Sequence, residues 1–386
     1  MISILIISFC ILGVFSNFPH WPSWLTCLQS TLQEKGVPAK AKLNQLKFLF
    51  IHVIQAPARG AANCIDELIF KGYKKVQIEP IFIVGQPRCG STLLHRTMAK
   101  SGHHLAIRHY QWRYPYVCIQ KIFQVFRLES YFQNISYWPS GKKGSEAEKM
   151  HPNRLNDWEE DGIFFEENLC HHFFVFLRFP YKNVLNKCSE YSSLGTISRR
   201  KFIQEHKKAI QKIAWSQNMK HVSYLSKEVV SHSMIPDLIK EYPKAKFIIV
   251  VRKSGDFLSS LIPLVRVSTT TKNGGYDPCK DCTWVNLVTR KIQKDCLYLC
   301  KLSEELIAKE SQYLLRSEQL FGDVELTIMN LYSWLDLSVS HSFTAELSNI
   351  KNRQQSRNKG YANQPLDLDM KGFQPYDDFV TNISYQ

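Results

Sequence analysis

No internal repeat and no low-complexity tract runs through this chain of 386 residues, which excludes solenoid, fibrous and largely disordered architectures. Concentrated charge is also scarce. The formal net charge is +15, yet the densest basic cluster is Arg199-Arg200-Lys201 with Lys207-Lys208, which reads as the solvated face of a helix. Basic charge spread in this way favours an anionic partner without choosing among nucleotide phosphates, sulfated or phosphorylated ligands, nucleic acid and an acidic membrane face. No Lys or Arg precedes Lys35, so the basic start of a secretory signal is missing. The most informative absence lies in Gly85-Gln86-Pro87-Arg88-Cys89-Gly90-Ser91-Thr92. A nucleoside triphosphatase carries Lys after the second glycine of such a loop, and here Ser91 takes that place, which argues against hydrolysis of a γ-phosphate on Mg²⁺.

What is present suits a folded domain. Hydrophobic residues make up 44% and aromatics 12%, enough to bury one large α/β core with insertions. The first fifteen residues, 1–15, are apolar apart from Ser3, Ser8 and Gly13. As a helix they reach about 22 Å, short of a bilayer core of roughly 30 Å, unless Asn17-Phe18 and Trp21/Trp24 sit at the interface. Three readings stay open: a membrane anchor, a signal cleaved after Val14-Phe15-Ser16, and a hydrophobic helix packed on the domain. Eleven cysteines leave the compartment undecided. Cys279, Cys282, Cys296 and Cys300 have a spacing loosely like a zinc site, but Cys296 and Cys300 fall in a helical pattern (288–306) where small buried thiols are common, and a luminal disulfide among the four is a further alternative. Asn134-Ile135-Ser136 and Asn382-Ile383-Ser384 are glycosylation sequons that agree with a secretory compartment.

The eight-residue loop follows an apolar run, Ile81 to Val84, and precedes the helical pattern Leu93, Leu94, Thr97, Met98. Glycines let the backbone turn tightly, and the amides opening the helix point at an anion with the positive end of the helix dipole behind them. The cation sits inside the loop, at Arg88. Helices are expected over 41–54 and 61–71, a short strand over 105–108, a strand over 221–225, a helix over 234–242 and an apolar strand over 247–251. Residues 110–220 are rich in aromatics and charge and read as helices walling an acceptor site, with an acidic knot Asp157-Trp158-Glu159-Glu160-Asp161. The pattern predicts a doubly wound, mostly parallel sheet with helical insertions. Ligands bind such sheets outside the carboxyl ends of the strands, and Gly85, Lys227 and Arg252 all follow strand ends. The chain divides into an N-terminal hydrophobic segment and helices (1–76), a main domain (77–345) and a C-terminal tail closing on it (346–386).

The run Gly85 to Thr92 with Leu93-Leu94-His95 resembles the G-x-P-R-[ST]-G-[ST]-T-L-L-H loop of sulfotransferases. Tyr242-Pro243-Lys244-Ala245-Lys246-Phe247, the strand, then Arg252 with Ser260 eight residues on, resemble the family element that holds a nucleotide 3′-phosphate. Lys227, 25 residues before Arg252, stands where the family has a Lys on the moving sulfuryl group. Glu318 to Asp323, followed by a helix to Leu337, is similar to a late family segment. The likeness spans about 80–337 and is nearest the broad group with bacterial lipid- and small-molecule-modifying members.

The resemblance implies a P-loop NTPase-like α/β fold that takes 3′-phosphoadenosine 5′-phosphosulfate (PAPS) as co-substrate. Its sulfuryl group would pass to an acceptor hydroxyl on a small alcohol, lipid or carbohydrate. Arg88 and Lys227 would stabilise the charge that develops. Gly85, Pro87, Arg88, Cys89, Gly90, Ser91, Thr92, Arg252 and Ser260 would hold the nucleotide. No metal and no nucleic-acid partner are expected, and a membrane-associated or luminal location in the Golgi or endoplasmic reticulum is expected, with the cytoplasm as alternative.

The general base has two candidates. Cytosolic members carry a His two residues after the Lys, where this chain has Val229. Tyrosylprotein sulfotransferases carry a carboxylate 21 residues beyond the loop Arg, where this chain has His109, a first choice because a neutral imidazole accepts a hydroxyl proton. The rival is the acidic cluster Glu159, Glu160 and Asp161. Further departures are Cys89 for Ser or Thr, Lys253-Ser254 for Asp-Pro, and a late Lys359-Gly360 pair whose flanks fit poorly. The alternatives to a sulfotransferase are a non-catalytic nucleotide-binding protein of the same fold and a P-loop kinase or nucleotide hydrolase.

Overall fold

The computed structural model describes residues 20–355 and 370–383. The apolar run at 1–15 and the Lys359-Gly360 pair lie outside the described residues. Two compact units interleave along the chain. One comprises Met1–Ile78, Ile107–Val222 and Arg266–Pro278, and the other Glu79–Ala106, Ser223–Val265 and Cys279–Gln386.

The second unit holds a five-stranded sheet of order β2-β3-β1-β4-β5, where β1 is Gln77–Gly85, β2 His104–Leu105, β3 His221–Glu228, β4 Lys246–Val251 and β5 Gln312–Arg316. β1 runs parallel to β4, β4 to β5 and β2 to β3. The expected α/β fold with a parallel sheet is therefore present. β1 is buried from Pro80 to Gly85 and β4 from Phe247 to Val251, the continuous apolar run of a strand covered on both faces. Since β1 sits between β3 and β4, the carboxyl ends of these three neighbours open side by side. β3 continues three residues beyond the expected end, to Glu228, so that Lys227 lies inside the strand's last turn of pleat. The expected strand at 105–108 is only His104–Leu105, and β5 carries no alternation that would have marked it in advance.

The first unit is helical. The expected helices at 41–54 and 61–71 are one helix, Ala39–Ile69, that runs through Pro57. Its Phe48 and Leu49 join Trp24 and Cys27 of the helix Trp21–Gln33 and Val184 and Cys188 of the helix Lys182–Cys188 in one apolar core. Trp24 Nε1 donates to the Leu49 carbonyl at 3.2 Å, which satisfies the buried indole where the helices meet. Among the described residues no helix is long and apolar enough to cross a membrane.

Candidate active site

In the sheet unit, the turn after β1 is shaped by close approach. Gly85 has φ +143° and a Cβ there would stand 2.1 Å from the Val250 carbonyl oxygen, so the end of β1 presses against β4 in a way only glycine permits. Gly90 has φ +95° and precedes the helix Ser91–Ala99, with Leu320 and Phe321 packed where a side chain would go. Arg88 itself lies at φ +72°, a left-handed conformation unusual for a side chain of its size. Strain of this kind persists where the surroundings fix it.

Three cations meet this loop. Arg88 Nε donates to Ser260 Oγ at 2.9 Å, Lys227 Nζ donates to Thr92 Oγ1 at 3.0 Å, and Arg252 Nη1 donates to the Arg88 carbonyl at 3.3 Å. Gly85, Arg88, Thr92, Lys227, Arg252 and Ser260 are thus brought together around one helix N-terminus. Pro87, Cys89, Gly90 and Ser91 complete the same turn, with Cys89 fully buried and Ser91 4% exposed. Burial pushes the Cys89 thiol up to about 12, against the opposing pull of Arg252 and the Gln86 backbone, so it stays protonated and adds no charge. Helix-opening amides, a hydroxyl pair and three cations form a cradle that fits a phosphate- or sulfate-bearing nucleotide.

Two supports escaped the sequence. His232 Nε2 donates to the Gly85 carbonyl at 2.9 Å and fixes the start of the turn. Asp377, from the helix Gln374–Asn382, accepts from the Ser254 amide at 2.7 Å and from Ser254 Oγ at 2.6 Å, capping the helix that carries Ser260. Neither residue stands in any local pattern, so no spacing signal marks them.

The base candidates belong to the helical unit. His109 is fully buried, stands 4.7 Å from the Tyr137 ring and has Nδ1 3.3 Å from Asn153 Oδ1, while Nε2 has no partner among the described residues. Burial lowers it to about 4, with Glu159 opposing the shift, so the imidazole is neutral at pH 7. Glu159 is close enough to His109 to act on it electrostatically, whereas Asp161 is engaged by His206 Nε2 at 2.9 Å. His151, Glu159 and Glu160 bring one ligand atom each within 4.8 Å of one another, a grouping that no sequence spacing announced. Of the four late cysteines, Cys296 and Cys300 are buried on the helix Cys282–Lys301 and Cys282 is exposed at its start.

A profile described as "Sulfotransferase family" matches residues 80–341, a span that contains the loop, Lys227, Arg252 and Ser260. The chain is similar in structure to sulfotransferase STF9 from Mycobacterium avium, with a TM-score of 0.71 at 13% identity over 98% of this chain and 96% of that one. It is likewise similar to sulfotransferase STF1 from Mycobacterium tuberculosis H37Rv, with a TM-score of 0.66 at 14% identity over 98% of both chains. No curated protein sequence matches it. Identities this low carry the fold, and the profile, which covers most of the chain, carries the family. The chain belongs to the sulfotransferase family.

Proposed function

We propose that this protein moves the sulfuryl group of PAPS to an acceptor hydroxyl on a small alcohol, lipid or carbohydrate. The observation that carries this reading is the meeting of Arg88, Lys227 and Arg252 on the turn 85–92 with no Walker lysine in it. PAPS supplies an activated sulfuryl group whose departure leaves negative charge on the nucleotide. The Arg88 guanidinium and the Lys227 ammonium are suited to stabilise that charge, because they are already held in place and need not reorganise. Lys227 is 3% exposed, so its field acts in a poorly solvated space where each charge counts for more. Arg252 can offer a planar pair of donors to the second phosphate, and Ser260 orients Arg88 through its hydroxyl.

For the acceptor proton we take His109, a neutral imidazole whose buried Nε2 has no hydrogen-bond partner among the described residues, as base. A base lowered to about 4 gives a rate that falls only below that pH. His109→Gln removing transfer while Glu159→Gln and Glu160→Gln retain it supports this assignment; the reverse assigns the carboxylates. The N-terminal apolar run and the exposed sequon at Asn134 support a luminal, membrane-associated location, which an endoglycosidase shift lost in Asn134→Gln would establish.

The deciding experiment is calorimetric titration with adenosine 3′,5′-bisphosphate and with ATP. Tight binding of the bisphosphate, lost in Arg88→Ala and Arg252→Ala, is expected. Preference for ATP, or binding of neither, overturns the donor assignment.

A further inference from the structure

The helical unit holds a partly open cavity of about 100 Å³ that none of the sulfotransferase residues line. Its charge is unbalanced. Arg59, Arg113, Lys201, Lys208 and Lys212 line it, whereas the lining carboxylates are Glu167 and Glu205. Lys208 Nζ donates to Glu205 at 2.9 Å, and Lys212 lies 3.2 Å from Asp66 behind the wall. Arg59 and Arg113, however, share Glu167, at 3.1 and 3.2 Å. Five cations thus face three carboxylates, and two positive charges remain over.

Part of that surplus is built into the wall rather than waving in solvent. Arg59 is 7% and Lys212 3% exposed. The Arg59 Nη2 group is used on Gln55 and Glu167, but its buried Nε has no hydrogen-bond partner among the described residues. A buried charged donor without an acceptor is costly, and a bound anion supplies one. The lining also carries a flat aromatic part, with Trp112 and Phe164 buried and Tyr116 and Phe202 beside them, next to the polar His20, Asn63, Asn168 and Ser198. The enclosed volume suits a single ring or a short chain.

We propose that this cavity binds a small organic anion, one aromatic ring or short aliphatic group bearing a carboxylate, sulfonate or sulfate. The surplus cations answer the charge and the aromatic wall the apolar part. Such binding is independent of the loop at 85–92.

The test is a ¹⁹F NMR titration of 4-fluorobenzenesulfonate into the full chain. Saturable binding is expected, weaker by about tenfold or more for uncharged 4-fluorobenzyl alcohol, a difference of about 1.4 kcal/mol. Two changes at lightly buried positions keep the fold: Lys201→Glu reverses a rim charge, and Ser198→Trp fills the space. Each is expected to weaken the probe about fivefold or more, while Arg88→Ala leaves it unchanged. The proposal is overturned if the probe does not saturate, or if both cavity variants bind as the parent does. It is equally overturned if Arg88→Ala abolishes binding, which would locate the probe at the loop, or if inorganic sulfate displaces the probe as well as the aryl compound does.

Discussion

The cations of the two units are held in opposite ways. Around the loop, Arg88, Lys227 and Arg252 donate to a serine hydroxyl, a threonine hydroxyl and a backbone carbonyl. In the helical unit, Arg178 and Lys272 pair with Glu166 at 2.8 and 2.9 Å, and Arg59, Arg113 and His52 converge on Glu167. A hydrogen bond to a neutral oxygen fixes a cation's position without neutralising it, whereas a carboxylate cancels the charge and turns it into structure. Burial alone would raise both glutamates; instead Arg178 and Lys272 bring Glu166 down to about 2, and Arg113, His52 and Arg59 hold Glu167 well below its ordinary value. The same two residue types are therefore held by neutral oxygens in one unit and by carboxylates in the other.

The sharpest way to break this contrast is Glu167→Ala. It leaves the buried Arg59 guanidinium and the half-buried Arg113 without their counter-charge and is expected to cost about 3–5 kcal/mol of stability in urea denaturation. Arg88→Ala should do the converse. Sulfuryl transfer from PAPS is expected to fall by about 10²–10³, as for loss of one transition-state donor, while the melting temperature moves by no more than about 3 °C. A melting temperature that collapsed with Arg88 would mean that the loop cation is structural after all.

Acid separates the units in another way. His109 in the helical unit goes from an ordinary 6.5 to about 4 through burial, so between those values the unfolded chain binds a proton that the folded chain refuses. Stability is then complete above about pH 6.5 and declines as pH falls toward 4, by about 3 kcal/mol from this residue. Thermal unfolding of the parent and His109→Gln across that range measures the difference, and parallel curves would show that the imidazole carries no such penalty. The smallest effect is expected from Asp377→Asn, which weakens the charged acceptor at Ser254 and costs about 1 kcal/mol with donor binding preserved.

The geometry of the loop was legible in the sequence because it is local. A strand, a glycine turn and a helix N-terminus follow one another within a dozen residues, and Arg252 ends an apolar strand that stands out by itself. The carboxylate pairing of the helical unit was not. His52 and Glu167 lie 115 residues apart and Arg59 and Glu167 lie 108 apart, so nothing in either neighbourhood announces the pair. The acidic stretch around residue 160 read as one functional cluster, yet its members differ, since Asp161 is taken by His206 and Glu159 faces His109 electrostatically. Charged residues buried on helices look like a solvated face until their partners are known. The merging of two expected helices into Ala39–Ile69 has the same origin: packing of Phe48 and Leu49 into the core outweighs the break that Pro57 and Gly60 suggest.

The left-handed backbone at Arg88 has a consequence for anyone who redesigns this protein. Glycine adopts that conformation without strain, so a search ranking substitutions by stability alone would nominate Arg88→Gly as an improvement. The change would relax the turn and delete the guanidinium together, and the loop would survive as a well-made scaffold with nothing left to say to an anion.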